Sequence, residues 1–330
     1  MASLGPWSAE EAIEYLREEY PGLSPDPADQ VRAAVGSLPA NVQVQFRLMT
    51  DTSIEQVVQH IRERSDGLPL RELTGVTLNF HPDTAVDGIT TIEAIARDGI
   101  YRSQFETGSS NGGMTAYPGG DRWNWESRIF GGAYDQADVA LRPKYGALNY
   151  RAEPVGGSPR FGSCHLRLRP HVLSRTTFCY PDSVQNPRDF GVSDRMSLIE
   201  LAKANVPNLD DVLDNYIEAH VHGTLQVSAD VEAIVLDPCY RDTAVERAAL
   251  TLGCILEWHD GFRLSLDHLG SCAQFRGPTV AEAISRISID GVVTPLEIGT
   301  ARDVVLDYQM AKWVWHCVAR FGRIASVSDN

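Results

Sequence analysis

The segments Glu218-Ala-His-Val-His-Gly223 and Asp230-Val-Glu-Ala-Ile-Val-Leu-Asp237 constrain the fold more than any other feature of the chain. The second is a branched aliphatic run between acids, the pattern of a buried strand. The first alternates charged or imidazole side chains with small apolar ones. Residues two apart on a strand share a face, so Glu218, His220 and His222 are expected on one side and Ala219 and Val221 on the other. That face would gather more titratable groups than a plain structural strand needs. Three readings of that face follow: a catalytic Glu at a strand edge, a polar solvent face, or a metal site. In the last, Asp214 or His259 would join Glu218, His220 and His222.

Charge narrows the partners. The 330 residues carry a net charge of −15, whereas phosphate neutralisation on a nucleic acid needs an excess of Lys and Arg. No nucleic acid is therefore expected. The charge is uneven: residues 100–190 hold 11 Lys and Arg against 8 Asp and Glu, and the remainder holds 18 against 36. An anionic ligand is best received in that middle stretch. No apolar run reaches the roughly 20 residues that span a bilayer, and no basic, apolar leader opens the chain. The expectation is a cytoplasmic protein, or one secreted into a host cell by a pathway without a classical signal peptide. The six cysteines are scattered without a C-x-x-C pair, as suits reduced thiols.

Along the chain, helical patterns appear near 8–20, 27–37 and 53–64, then a strand over 74–80 and a helix over 90–98 closed by Gly99. Short strands are expected at 101–106, 161–169, 175–180, 218–227 and 231–236, with helices at 195–204 and 209–216. The stretches 243–256, 279–288 and 302–321 read as helical, the last with Trp313 and Trp315 in its core. An α+β protein follows, with a mixed β core between N-terminal and C-terminal helices. A doubly wound fold is disfavoured, because strands and helices do not alternate and no G-x-G-x-x-G loop occurs. The division expected is a helical region over 1–80 and a second domain over 81–330, with its C-terminal helices from about 243.

Several motifs could carry chemistry. Tyr101-Arg-Ser-Gln-Phe-Glu-Thr-Gly-Ser-Ser-Asn-Gly-Gly113 reads as a strand entering a glycine-rich turn. Arg102 and Gln104 would share one face, and Tyr101, Ser103 and Phe105 the other. Gly108, Gly112 and Gly113 would let backbone N–H groups approach a ligand; a surface arginine before an ordinary loop is the plainer reading. In Phe130-Gly-Gly-Ala-Tyr134 the glycines leave room for the tyrosine to stack on a flat heterocycle, or the ring is simply core. Arg142-Pro-Lys-Tyr-Gly-Ala-Leu-Asn149 and Pro159-Arg-Phe-Gly-Ser-Cys-His-Leu-Arg-Leu-Arg169 supply the other central cations.

Taken in order, these pieces resemble ADP-ribosyltransferases. Phe130–Tyr134 is similar to the F-G-x-G-x-Y segment of the poly(ADP-ribose) polymerase branch, and the 218–236 pair to its terminal catalytic-Glu strand and the strand after it. More closely, Tyr101–Gly113, Arg128–Tyr134, Arg142–Asn149, Arg160–Arg169 and Tyr216–Arg241 resemble the bacterial family called domain of unknown function 3626, over roughly 80–322. The resemblance implies an ADP-ribosyltransferase-like split β-sheet core. It also implies a mono-ADP-ribosyltransferase that cleaves NAD as substrate, needs no metal, and modifies a protein acceptor.

Through related effectors, a threonine of ubiquitin is the implied acceptor. Glu218 would be the catalytic carboxylate, Arg102 would bind the pyrophosphate or ribose, and Tyr134 would stack on nicotinamide. Ser103, Gly108, Ser110, Asn111 and Gly112 would line the NAD cleft, and His220 would shape the nicotinamide site. The middle Ser element is either Ser163 or Ser174-Arg-Thr-Thr177. Arg102-Ser103 stands where the polymerase branch has His-Gly. Tyr216 stands where arginine-modifying toxins carry Glu or Gln, which points away from arginine as acceptor. The N-terminal helices would help recognise the acceptor. The alternative is a metal-dependent hydrolase using Glu218, His220 and His222.

Overall fold

A computed structural model describes residues 54–71, 74–108, 115–205 and 211–324. The helices expected near 8–20 and 27–37, and the sites at Ser110, Asn111 and Gly112, lie outside the described residues. Contacts gather Ile54–Asn330 into one compact unit, so the chain is not divided at the boundary expected near residue 80. The physical reason is that Val76–Phe80, which that boundary would detach, is an interior strand with every residue buried.

The α+β class holds. Eight strands form the main sheet: β1 (Val76–Phe80), β2 (Lys144–Leu148), β3 (Cys164–Leu168), β4 (Thr176–Tyr180), β5 (Asp189–Val192), β6 (Glu218–Val221), β7 (Val231–Leu236) and β8 (Ile255–Trp258). Their order is β8-β7-β3-β1-β2-β6-β4-β5, parallel only between β7 and β8. Directly opposed residues share a face, so the register sorts side chains into two sets. Leu78, Leu148, Leu166, Phe178, Ala219 and Ile234 belong to the main apolar core. The opposite face is polar: Thr77, Ala147, Glu218 and Cys179 form one row across four strands, and Tyr145, His220 and Thr177 another. The shared strand face expected of Glu218 and His220 is present.

The polar face is covered in two places. Near β6 and β4 the cover is a helix over 54–62, the helix Asp121–Ile129 and the Phe130–Tyr134 turn, which build a small apolar cluster with Cys179 and Phe190. Elsewhere a second core gathers Phe262, Val280, Ile284, Ile298 and Trp315 from the C-terminal helices. Trp315 is 1% exposed but Trp313 is 37% exposed. Two positions apart on a helix means about 200° of rotation, so only one of the pair can face inward.

Local signals were accurate where chain chemistry decides. Thr90 and Glu93 cap the helix Thr91–Asp98 reciprocally, and Gly99 ends it at φ 65°. The strand expected over 101–106 is corrected. Only Ile100–Tyr101 is extended, and Ser103 then caps a helical turn, Gln104–Thr107. Arg102 and Gln104 therefore do not share a strand face. The helix expected over 209–216 is a short 3-10 turn, Val212–Asp214, within the described part, and 243–256 divides into the helix Ala244–Leu250 and β8.

Candidate functional site

β6 carries Glu218 and His220 on the polar face, and β4 beside it carries Cys179 and Thr177 in register with them. Glu218 is 6% exposed and His220 and His222 are fully buried. Three donors converge on one carboxylate oxygen, Oε1: His220 Nε2–H at 2.8 Å, the Ser183 backbone N–H at 3.2 Å and the Cys179 thiol at 3.7 Å. Oε2 has no hydrogen-bond partner among the described residues. Burial pushes the Glu218 pKa up, but the His220 contact, the Arg122 charge and the Ser183 donor outweigh it, and the net shift is downward. The carboxylate is ionised, anchored through one oxygen and open at the other.

A hydrogen-bonded line runs away from it. Thr177 Oγ1 lies 3.3 Å from His220 Nδ1 and 2.9 Å from His222 Nε2, and His222 Nδ1 lies 2.7 Å from the Tyr134 hydroxyl. Burial, then the neighbouring positive charges, hold the His222 pKa well below its ordinary value. Oriented one way, the line satisfies every contact in it. Tyr134 O–H donates to His222, His222 Nε2–H to Thr177, Thr177 O–H to His220, and His220 Nε2–H to Glu218. Tyr134 is 4% exposed, and its ring stacks on His222 at 5.9 Å and meets Phe130 edge-on at 5.5 Å. The ring expected to stack on nicotinamide is occupied by protein partners, and the plainer reading of it as core is the one observed.

The cover contributes charges that the sequence reading missed. Helix Asp121–Ile129 turns Arg122, Glu126 and Ile129 inward. Glu126 pairs with Arg142 at 2.6 Å and accepts from the Tyr145 hydroxyl at 3.1 Å. Arg122 is 7% exposed and lies over the Tyr145 ring at 4.3 Å, and its Nε and Nη1 are buried without a hydrogen-bond partner among the described residues. A buried guanidinium with unmet donors costs free energy unless an acceptor arrives. Beyond β4, Asp182 accepts from Tyr216 at 2.6 Å. Burial, then the Glu218 charge, raise its pKa. Glu218 and Asp182 are thus two neighbouring carboxyls pushed in opposite directions, the arrangement that separates base from acid.

Other expected site residues lie elsewhere. Tyr101 pairs with Leu225, past the end of β6 farther from Glu218. Arg102 beside it is held by Asp98 at 3.1 Å and faces Glu106 at 4.0 Å. Ser103 is a buried helix cap, and Gly108 closes that turn at φ 62°. The structure does not bring Arg102, Ser103 or Gly108 to Glu218. Ser163 precedes β3, which lies three strands from β6, roughly 14 Å at the usual strand spacing. Of the two Ser/Thr segments only the second reaches the site, through Thr177. Asp214 pairs with Arg160 at 2.6 Å, and His259 meets the Ser163 carbonyl at 2.7 Å, so neither completes a metal set with Glu218.

A different trio could hold an ion: Cys179 Sγ, Glu218 Oε1 and His220 Nε2 lie within 4.8 Å of one another. Sulfur, nitrogen and carboxylate donors suit zinc. Against it, burial and the Glu218 charge push the Cys179 thiol well up, and His220 spends Nε2–H on Glu218. Among the described residues no helix is long and apolar enough to cross a membrane, and all six cysteines are free thiols.

The family model described as "Protein of unknown function (DUF3626)" matches residues 75–205 and 200–318, a span that holds every residue of the Glu218 cluster. No curated protein matches the sequence.

Proposed function

We propose that this chain, which belongs to the DUF3626 family, is a mono-ADP-ribosyltransferase with an ADP-ribosyltransferase-like core, cleaving NAD at Glu218 and passing ADP-ribose to a protein hydroxyl. One observation carries the reading: an ionised, buried carboxylate fixed through Oε1 by three donors while Oε2 has no partner among the described residues. A hydroxyl of the substrate ribose supplies the missing donor. As the nicotinamide–ribose bond breaks, its electron pair leaves with nicotinamide and positive charge spreads over C1′ and the ring oxygen. A preorganised carboxylate stabilises that charge more than it stabilises the neutral sugar. The acceptor oxygen then bonds to C1′, and its proton goes to the neighbouring carboxylate of Asp182, whose buried Oδ1 has no hydrogen-bond partner among the described residues.

Arg122 offers unmet donors to the pyrophosphate, a role the sequence assigned to Arg102. Tyr134, Thr177, His222 and His220 are positioning residues that hold Glu218 through the hydrogen-bonded line. At 6% exposure Glu218 is reached only when its cover opens, so substrate entry includes a movement of the 121–134 segment. The acceptor proposed is a threonine of ubiquitin. Incubation with labelled NAD and ubiquitin, read by mass spectrometry, tests the reaction. Glu218→Gln should lower transfer by about a hundredfold to a thousandfold, the scale of losing one electrostatic stabiliser, with circular dichroism unchanged. Full activity in folded Glu218→Gln protein overturns the proposal.

A second reading, metal-dependent hydrolysis, is favoured by the Cys179, Glu218 and His220 trio and replaces His222 of the expected set with Cys179. Metal analysis of purified protein separates the two: one stoichiometric zinc lost in Cys179→Ser supports hydrolysis, and none supports transfer.

A further inference from the structure

A second group of titratable side chains lies away from Glu218, where β1 ends beneath the helix Tyr308–Phe321. His81 follows β1, is 6% exposed and has no hydrogen-bond partner for its ring among the described residues. Its ring stands edge-on to Trp315 at 4.8 Å. Trp315 is itself fixed, its indole N–H donating to the carbonyls of Pro159 and Arg160 at 3.0 and 3.1 Å. Together with Arg160, Arg302, Tyr308 and Lys312 these two rings line a small cleft of about 20 Å³.

Its charge balance is one-sided. Arg160 is paired with Asp211 and Asp214. Arg302 donates to the Thr84 hydroxyl and interacts electrostatically with Asp83. Lys312, half-buried, has neither an ion pair nor a hydrogen bond among the described residues. Burial, then Arg160 and Arg276, lower the Lys312 pKa. Behind the cleft, burial and the same cations bring His316 down to about 2. Crowding cations in a chain of net charge −15 is costly unless something negative completes the site.

We propose that this cleft binds an oxyanion headgroup, a phosphoryl or carboxylate group, held by Lys312, Arg302 and the N–H of His81. The volume admits a headgroup rather than a nucleotide, so the bearer of the group stays outside. Neutral His81 supplies one ring donor, Lys312 a mobile ammonium, and the Trp315 edge closes the apolar side. The site is independent of whatever reaction Glu218 performs.

The test is calorimetric titration of the full chain with inorganic phosphate and, separately, acetate, against chloride at matched ionic strength. At least one oxyanion should bind and raise Tm. Lys312→Met should weaken that binding at least tenfold, and Glu218→Gln should leave it unchanged. His81→Asn should weaken it as well. Should that buried variant fail to fold, Lys312→Met, at a half-exposed position, still decides. Binding of phosphate alone identifies a phosphoryl ligand, and of acetate alone a carboxylate. No binding beyond chloride, or binding unaltered in Lys312→Met, overturns the proposal.

Discussion

At the scale of single residues, two arginines compete for one task. Arg102 has acidic neighbours on both sides, Asp98 and Glu106, whereas Arg122 has buried donors with nothing to bond among the described residues. Arg122→Met is therefore expected to weaken NAD binding at least about tenfold, the value of one charge-assisted contact. Arg102→Ala should change it less; titration of both variants with NAD checks the order, and the reverse order would return the task to Arg102. Thr177 is the second sensitive residue. Its hydroxyl joins His220 to His222, so Thr177→Val leaves two buried ring nitrogens unmet at nearly constant volume. A stability loss of about 1–3 kcal/mol is expected, together with an altered pH profile of transfer. Unfolding in urea measures the first and initial rates against pH the second; a loss of stability with an unchanged profile would remove the line from any part in positioning Glu218.

At the scale of elements, backbone approach decides which glycines can change. A side chain at Gly162 would stand 2.1 Å from the Phe80 carbonyl carbon, backbone that cannot step aside. Gly162→Ala should cost about 3 kcal/mol or more. Gly270 lies inside the helix Leu269–Arg276, and a methyl group added there would meet open space. Gly270→Ala should stabilise by about 0.5–1 kcal/mol. Denaturant midpoints of the two variants should move in opposite directions, and a shared sign would contradict the packing described. Elements also explain what the sequence hid. The helix Asp121–Ile129 turns Arg122, Glu126 and Ile129 inward, so its buried stripe has the right spacing but the wrong chemistry to stand out as apolar. β2 begins with a lysine that is 1% exposed, its ammonium donating to the Ala140 and Arg142 carbonyls. Val231–Leu236, apolar throughout its buried length, was legible to the residue.

At the scale of the whole molecule, buried histidines set the response to acid. Burial lowers His165 to about 3 and His316 to about 2, and takes His81 and His222 well below their ordinary value. Between those values and about 6.5 the unfolded chain binds protons that the folded chain refuses, so stability is full above pH 6.5 and falls as pH drops below it. Each group contributes up to about 1.4 kcal/mol per pH unit in that window. Asp83, Glu126 and Asp237, raised by burial, work in the opposite sense at lower pH. Tm should therefore fall from pH 7.5 to 5.5, and His165→Asn should flatten the slope; a flat profile in the unaltered protein would mean these rings are accessible to protons.

The sequence by itself determined the α+β class, the helix end at Gly99, the strand Val231–Leu236 and the shared face of Glu218, His220 and His222. Each follows from periods of two to four residues or from a single backbone conformation. Tertiary structure alone decided that Thr177 and Cys179 stand in register beside that face, that Arg122 rather than Arg102 lies over it, and that Tyr134 ends a hydrogen-bonded line instead of waiting for a ligand. Those partners are dozens of positions away along the chain, and pairing across such distances is fixed by sheet order and by which helix covers the face. Local spacing carries no record of either.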